Sequence, residues 1–231
     1  MTVSTIIPVY NSRDLIGDTL ETVLGQSRKS DEIVVVDDGS TDGTDEIVLG
    51  FPSVTLLRQA NQGEAVARNL GIQASTGEAL AFLDHDDHWL PGKLETQMRA
   101  LEADPELMVV FSHIVNVVPK GEAPSWAQPG TIGVPLPGYL PSAMLVRRLV
   151  FAWTGLFVVD NTHTSDVDFC FRVRDLDLAS LMLEEVLVHR NLHASNASGR
   201  VSEIQQGLLN SVRRSLLRRR GLLPDEFRVT S

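Results

Sequence analysis

A chain of 231 residues, 43% hydrophobic and 22% charged, has enough apolar material for one α/β domain, or one domain with a small appendage. Its formal net charge of −10 argues against a generic nucleic-acid binder, and its single cysteine, Cys170, excludes an intramolecular disulfide and fits a reducing compartment. No stretch reaches the roughly 18–20 apolar residues that cross a bilayer, and residues 1–10 read as a strand rather than a leader, so a cytoplasmic protein is expected.

The first half alternates strand and helix patterns. Residues 3–9 are an apolar, β-branched run interrupted by Pro8, after which Ile16, Leu20, Val23 and Leu24 recur at helical spacing. A second strand at 33–36 ends on Asp37 and Asp38. The turn-rich 39–43 follows, and Thr44 can cap a short helix with Asp45 and Glu46 in its first turn. A third strand at 54–57, a helix at 63–74 stopped by Gly77, and a fourth strand at 79–83 lead to Asp84. Pro91 sits where a helix to about Ala103 can start. Repeated strand–helix–strand units need crossovers, so an α/β fold with a mainly parallel central sheet and helices on both faces is expected. Ligands of such sheets bind beyond the carboxyl ends of the strands, where these acidic residues fall.

The second half is less regular. Residues 108–118 read as a strand, and 119–141 hold most of the prolines with Gly121, Gly130, Gly133 and Gly138. That stretch is expected to be a long loop over the sheet, serving as a lid. A helix at 166–174, a strand at 185–189 and a last helix at 201–219 with a basic end complete the chain. There is no internal repeat or low-complexity tract.

Three segments can carry chemistry. In 82–91, a strand delivers Asp84 and Asp86, which face the same way if the strand persists. Two close carboxylates repel unless a cation lies between them, and a hard ion such as Mg²⁺ or Mn²⁺ meets that need and can bridge to a diphosphate. A solvated, helix-capping acidic turn is the alternative. His85 and His88 lack the further Cys or His of a structural zinc site and read as local packing residues. In 34–44, Asp37 and Asp38 either accept hydrogen bonds from a base or ribose, or simply serve the turn. In 61–71, Arg68 either projects to a diphosphate or pairs with a nearby carboxylate.

The segments 4–11, 34–44, 67–71 and 82–87, in this order and approximate spacing, resemble family 2 glycosyltransferases of the GT-A fold. The resemblance implies one domain over 1–200, with a nucleotide-sugar half at 1–104 and an acceptor half at 105–200, then a helix and tail at 201–231. It implies a nucleotide site at Pro8, Tyr10, Asp38 and Arg68, with Tyr10 stacking near the base and Asp38 reading its edge. Asp84 would face the donor sugar or ribose, Asp86 would ligate the metal, and Trp89 would pack near the sugar or acceptor.

Residues 165–172 resemble the family's Glu-Asp-x-Asp-x-x-x-Arg helix start, mapping its catalytic base onto Asp166 and an acceptor-side arginine onto Arg172. Ser165 stands where the family has Glu, and it could instead be the N-cap. Residues 189–198 resemble the family's Arg-x-x-His segment, in which His193 would complete the metal shell or bind phosphate. Gly155-Leu156-Phe157 is similar to the family's acceptor-side turn, with Val158 in place of the expected Asp.

The implied activity is metal-dependent, inverting transfer of a sugar from a nucleoside-diphosphate sugar, with UDP favoured. The acceptor is a glycan, a lipid-linked sugar or a small molecule. The alternatives are a non-catalytic nucleotide-sugar-binding protein and a sugar nucleotidyltransferase. The latter would want a Gly- and basic-rich loop where Tyr10-Asn11-Ser12-Arg13 stands. The last helix interleaves leucines with five arginines; it could dock on an anionic membrane, or pack on the domain or a second subunit with its arginines solvated.

Overall fold

The computed structural model describes residues 1–119, 122–159, 163–194, 196 and 199–222. The first half is built from β1 (Val3–Val9), α1 (Ile16–Leu24), β2 (Glu32–Asp37), α2 (Thr44–Leu49), β3 (Thr55–Arg58), α3 (Glu64–Ala74) and β4 (Ala79–Phe82). Strands β3, β2, β1 and β4 lie side by side and parallel. Both β1 and β4 are buried throughout, as near-continuous apolar strands covered on both faces should be.

The second half comprises β5 (His88–Trp89), α4 (Lys93–Ala103), β6 (Val109–Val117), β7 (Pro135–Pro137), β8 (Met144–Arg147), α5 (Leu149–Thr154), α6 (Ser165–Asp175), β9 (Ser180–Asn191) and α7 (Val201–Arg219). One nine-stranded sheet runs β3-β2-β1-β4-β8-β6-β9-β5, with β7 on β6. The parallel expectation holds as far as β4. Beyond it, β8 is antiparallel to β4 and β6, β5 is antiparallel to β9, and only β6 and β9 run parallel. The chain enters β8 from the long 119–141 excursion rather than through a crossover helix, which frees its direction.

The sheet carries a core on each face. Ile7 and Val9 of β1 pack with Ile16 and Leu20 of α1 and with Leu94 and Leu101 of α4. Ile6 points the other way, into a cluster holding Phe82, Phe111, Phe151, Phe157 and Phe169. Helix α3 lies close over β1, because a Cβ on Gly71 would come within 2.4 Å of Ile6 Cγ2.

Several local expectations are corrected. Thr44 is the first helical residue, not the cap; Gly43 precedes it at φ 86°, and the Thr44 hydroxyl donates to Asp42 Oδ1 (2.6 Å). Ser165 likewise opens α6, with Thr164 before it and no side-chain cap. The described part of 119–141 is not bare loop. It contains a 3₁₀ turn at Pro129–Thr131 and β7, which pairs with β6 across His113–Val115. Gly121, in that stretch, lies outside the described residues.

Candidate active site

The nucleotide-side residues gather at the ends of β1 and β2. Pro8 is buried within β1, opposite Val36. Asp38 N donates to Val9 O (2.8 Å), setting Asp38 beside Tyr10, which is exposed just past the strand. Asp37 is buried and supports the turn; its Oδ1 accepts from Ser40 N (2.8 Å), and its Oδ2 lies 3.3 Å from Arg58 Nε. Asp38 accepts from Gln59 Nε2 (2.7 Å), Gln62 N (2.8 Å) and Gly63 N (2.8 Å). Both carboxylates therefore shape backbone, and Asp38 fixes the approach to α3.

A cavity of about 700 Å³ opens next to that approach. Arg68, Asp84 and Asp166 line it from three different elements, with Pro141 and Val159 supplying apolar wall. Arg68 is buried, pairs with Glu64, and places Nη2 2.6 Å from Asp84 Oδ1. Its guanidinium sits 5.7 Å from the Phe157 ring centre, and its Nε–H is buried with no partner among the described residues. Asp84 is held from behind, its N donating to Ser142 Oγ (3.1 Å). Asp166, in the first turn of α6, accepts from Val167 N (2.8 Å). Burial pushes the Asp166 carboxyl above the ordinary carboxylate range; Arg68 opposes the shift and the charge of Asp84 adds to it.

Asp86 does not share a face with Asp84, because strand geometry ends at Phe82 and a turn follows. The turn swings Asp86 to the end of β9, where Asp86 Oδ2 lies 2.9 Å from His193 Nε2 and accepts from Asn196 Nδ2 (2.8 Å). Asn191 fastens the turn: its Nδ2 donates to Asp86 O (2.6 Å) and its N to Asp87 Oδ1 (3.2 Å). Burial works against ionised Asp86, yet the His193 hydrogen bond and the charges of His85 and His193 hold its carboxyl below the ordinary range. Asp87 goes the other way, pushed well up by burial and by the charges of Asp86 and Asp84. Ser195, Ala197 and Ser198 of the 189–198 segment lie outside the described residues.

Asp86 and His193 could both contribute to a divalent-cation site, the carboxylate as the ligand suited to Mg²⁺ or Mn²⁺ and the imidazole as a softer one. Among the described residues no three His, Cys, Asp or Glu side chains converge on one point. Mg²⁺ and similar ions keep several waters and bind through one or two carboxylates plus phosphate oxygens. One carboxylate beside one imidazole, Asp86 and His193, fits an ion whose remaining positions belong to water and phosphate.

Two expected acceptor-side residues sit elsewhere. Trp89 is buried in the core; its Nε1 donates to Ser142 O (2.8 Å), so it braces the residue that holds Asp84 instead of facing a sugar. Arg172 is buried too. Its Nε bonds Asp168 Oδ2 (2.8 Å), and its Nη1 donates to the carbonyls of Thr154 (2.5 Å), Gly155 (3.0 Å) and Leu156 (2.8 Å). It pins the turn before Phe157 and has no reach into the cavity.

Other contributors escaped the sequence reading. Asn69 clasps Phe157, donating from Nδ2 to its O (2.8 Å) and accepting its N on Oδ1 (2.9 Å). Asn191 and Asn196 lie in the 189–198 segment, but their amides carry no charge to mark them. Arg190, the arginine of the Arg-x-x-His segment, lines the cavity without having been assigned a role; His163, Arg200 and Glu203 line it from regions with no distinctive pattern, and Arg200 Nη1 stands 2.8 Å from His163 Nε2.

Comparison with known proteins places the chain among glycosyltransferases. Over 101 residues the chain is 44% identical to TuaG of Bacillus subtilis, a glycosyltransferase named for teichuronic acid biosynthesis; the match covers 42% of this chain and 40% of TuaG. The chain thus spans about two fifths of that relative. Residues 1–349 of S. aureus TarS in complex with UDP-GlcNAc superpose with TM-score 0.75 at 18% identity, covering 94% of this chain and 67% of that one. The mannosyltransferase PcManGT of Pyrobaculum calidifontis, solved with GDP-Man and Mn²⁺, gives TM-score 0.72 at 21% identity, covering 93% and 64%. These similarities show the GT-A fold. With the model of glycosyl transferase family 2 matching residues 4–170, this chain belongs to that family.

Proposed function

We propose that the chain moves a sugar from a nucleoside-diphosphate sugar to an acceptor in a single, inverting displacement. The observation that carries this reading is one cavity joining Arg68, Asp84 and Asp166, with the Asp86–His193 pair at the adjoining strand end. Tyr10 and Asp38 would hold the nucleotide, with Asp38 sharing its oxygens between the base and the Gln62 and Gly63 amides. Arg68 would face the diphosphate as a cation already desolvated and fixed. A Mg²⁺ or Mn²⁺ ion on Asp86 and His193 would supply further positive charge at the leaving group. Asp84 would orient the ribose or sugar. Asp166 would take the proton of the attacking hydroxyl, and the burial that raises its carboxyl makes it a stronger base than an exposed aspartate.

UDP-sugars and GDP-mannose head the donor panel, because structural relatives were solved with UDP-GlcNAc and GDP-Man. The test is release of nucleoside diphosphate from each donor with Mn²⁺, with Mg²⁺ and with chelator. Turnover is expected with one of the ions and lost on chelation, and Asp86→Ala should weaken donor binding about tenfold or more. Donor binding indifferent to both chelator and Asp86→Ala would contradict the metal assignment. Tight binding with no turnover of any donor or acceptor would favour the non-catalytic alternative.

A further inference from the structure

Helix α7 packs with its polar side inward. Its buried residues are Gly207, Ser211 and Ser215. Ser215 Oγ donates to Asp175 Oδ1 (2.8 Å), while Arg218 Nε donates to Asp175 Oδ2 (2.9 Å) and its Nη1 stands 3.6 Å from Asp168. The ordinary amphipathic arrangement is thereby inverted. Val201, Leu208, Leu209, Val212 and Leu216 recur at helical spacing on one outward stripe and are 38–66% exposed among the described residues. Arg213 and Arg220, also exposed, border the second half of the stripe, whereas Arg219 there pairs with Asp175 (3.0 Å). Residues 201–222 hold five arginines and one glutamate, in a chain whose net charge is −10.

We propose that this face of α7 docks on an anionic lipid surface. The aliphatic side chains would enter the boundary between headgroups and acyl chains, and the arginines would meet lipid phosphates. Charge complementarity selects this occupant. A second copy of the chain would set arginine-bordered stripe against arginine-bordered stripe, whereas an anionic bilayer answers both the apolar and the cationic character. Helix α7 begins at the cavity, because Arg200, Glu203 and Ile204 line it. Docking therefore holds the cavity near the lipid surface. That the acceptor is an amphiphile drawn from that surface rests on the glycosyltransferase reading; the docking itself does not.

The test is flotation of the full chain with phosphatidylcholine vesicles, with and without phosphatidylglycerol, in the absence of donor. Co-flotation is expected only with phosphatidylglycerol and should weaken as salt is added. Arg213→Ser with Arg220→Ser should lower partitioning by about fivefold per arginine, and Leu209→Glu with Leu216→Glu should abolish it. Unchanged circular dichroism would establish that these variants fold. No flotation with phosphatidylglycerol, or variants that float like the parent, overturns the proposal. So does a concentration-dependent dimer that Leu209→Glu dissolves, because a second copy would then cover the face. Since no donor or turnover enters the readout, failure here leaves the transferase reading untouched, and the reverse holds.

Discussion

Lys93 shows how far burial can change a residue. It is fully buried, with Nζ 4.0 Å from the Trp89 ring centre and 3.2 Å from Met144 O. Burial pushes its ammonium well below the ordinary value of 10.5. Between the lowered native value and 10.5 the unfolded chain binds the extra proton, so native stability rises with pH across that window. Lys93→Met keeps the bulk and removes the titration. It should raise the melting temperature at neutral pH by a few degrees, with a gain that shrinks towards pH 10.5. Melts of both proteins across that range decide it; a variant that melts lower at neutral pH would contradict a burial penalty on this lysine. Sequence could not announce this, because Lys93 reads as an ordinary first-turn helix residue. The same blindness misplaced Trp89 and Arg172, whose polar atoms are spent on carbonyls at Ser142 and at Thr154 to Leu156. Asp84 stood out as a strand-end carboxylate, Arg68 carried pairing with a carboxylate as its alternative, and Asp166 was marked only by the resemblance.

At the scale of elements, long periodic segments were readable and short ones were not. The expected bounds of β1, α1 and α7 match the observed ones, while β4 stops at Phe82. The two-residue β5, the Pro-Leu-Pro strand β7 and the four-residue β8 are too short to display a period, and α5 has only six residues. These short pieces stand behind the cavity without lining it: Trp89 of β5 donates to Ser142 O, and Thr154 of α5 accepts from Arg172. Asn69 is the clasp between α3 and the turn after α5, and its amide satisfies both backbone groups of Phe157. Asn69→Ala leaves that N–H and C=O without their partner and should destabilise the chain by about 2–3 kcal/mol. The urea midpoint should fall with little change in slope. An unchanged midpoint would mean the clasp is not holding the turn.

For the whole molecule, the sheet order is what makes a site. Strand β4 delivers Asp84, α3 delivers Arg68, α6 delivers Asp166, and the end of β9 brings His193 to Asp86. The sequence revealed the first half of this assembly through its strand-end carboxylates. It revealed the second half only through resemblance, since the antiparallel entry of β8 and the place of α7 beside the cavity depend on long-range packing. In the proposed transfer, Asp166 would remove a proton opposite a diphosphate that other residues hold. Asp166→Asn keeps the shape and the hydrogen bond from Val167 while deleting the base. The decisive measurement is donor affinity and transfer rate for this variant, side by side with the parent. Transfer should fall by about 10²–10⁴-fold with donor affinity within about twofold; a variant that transfers at the parental rate would remove Asp166 from the chemistry and the cavity from its proposed purpose.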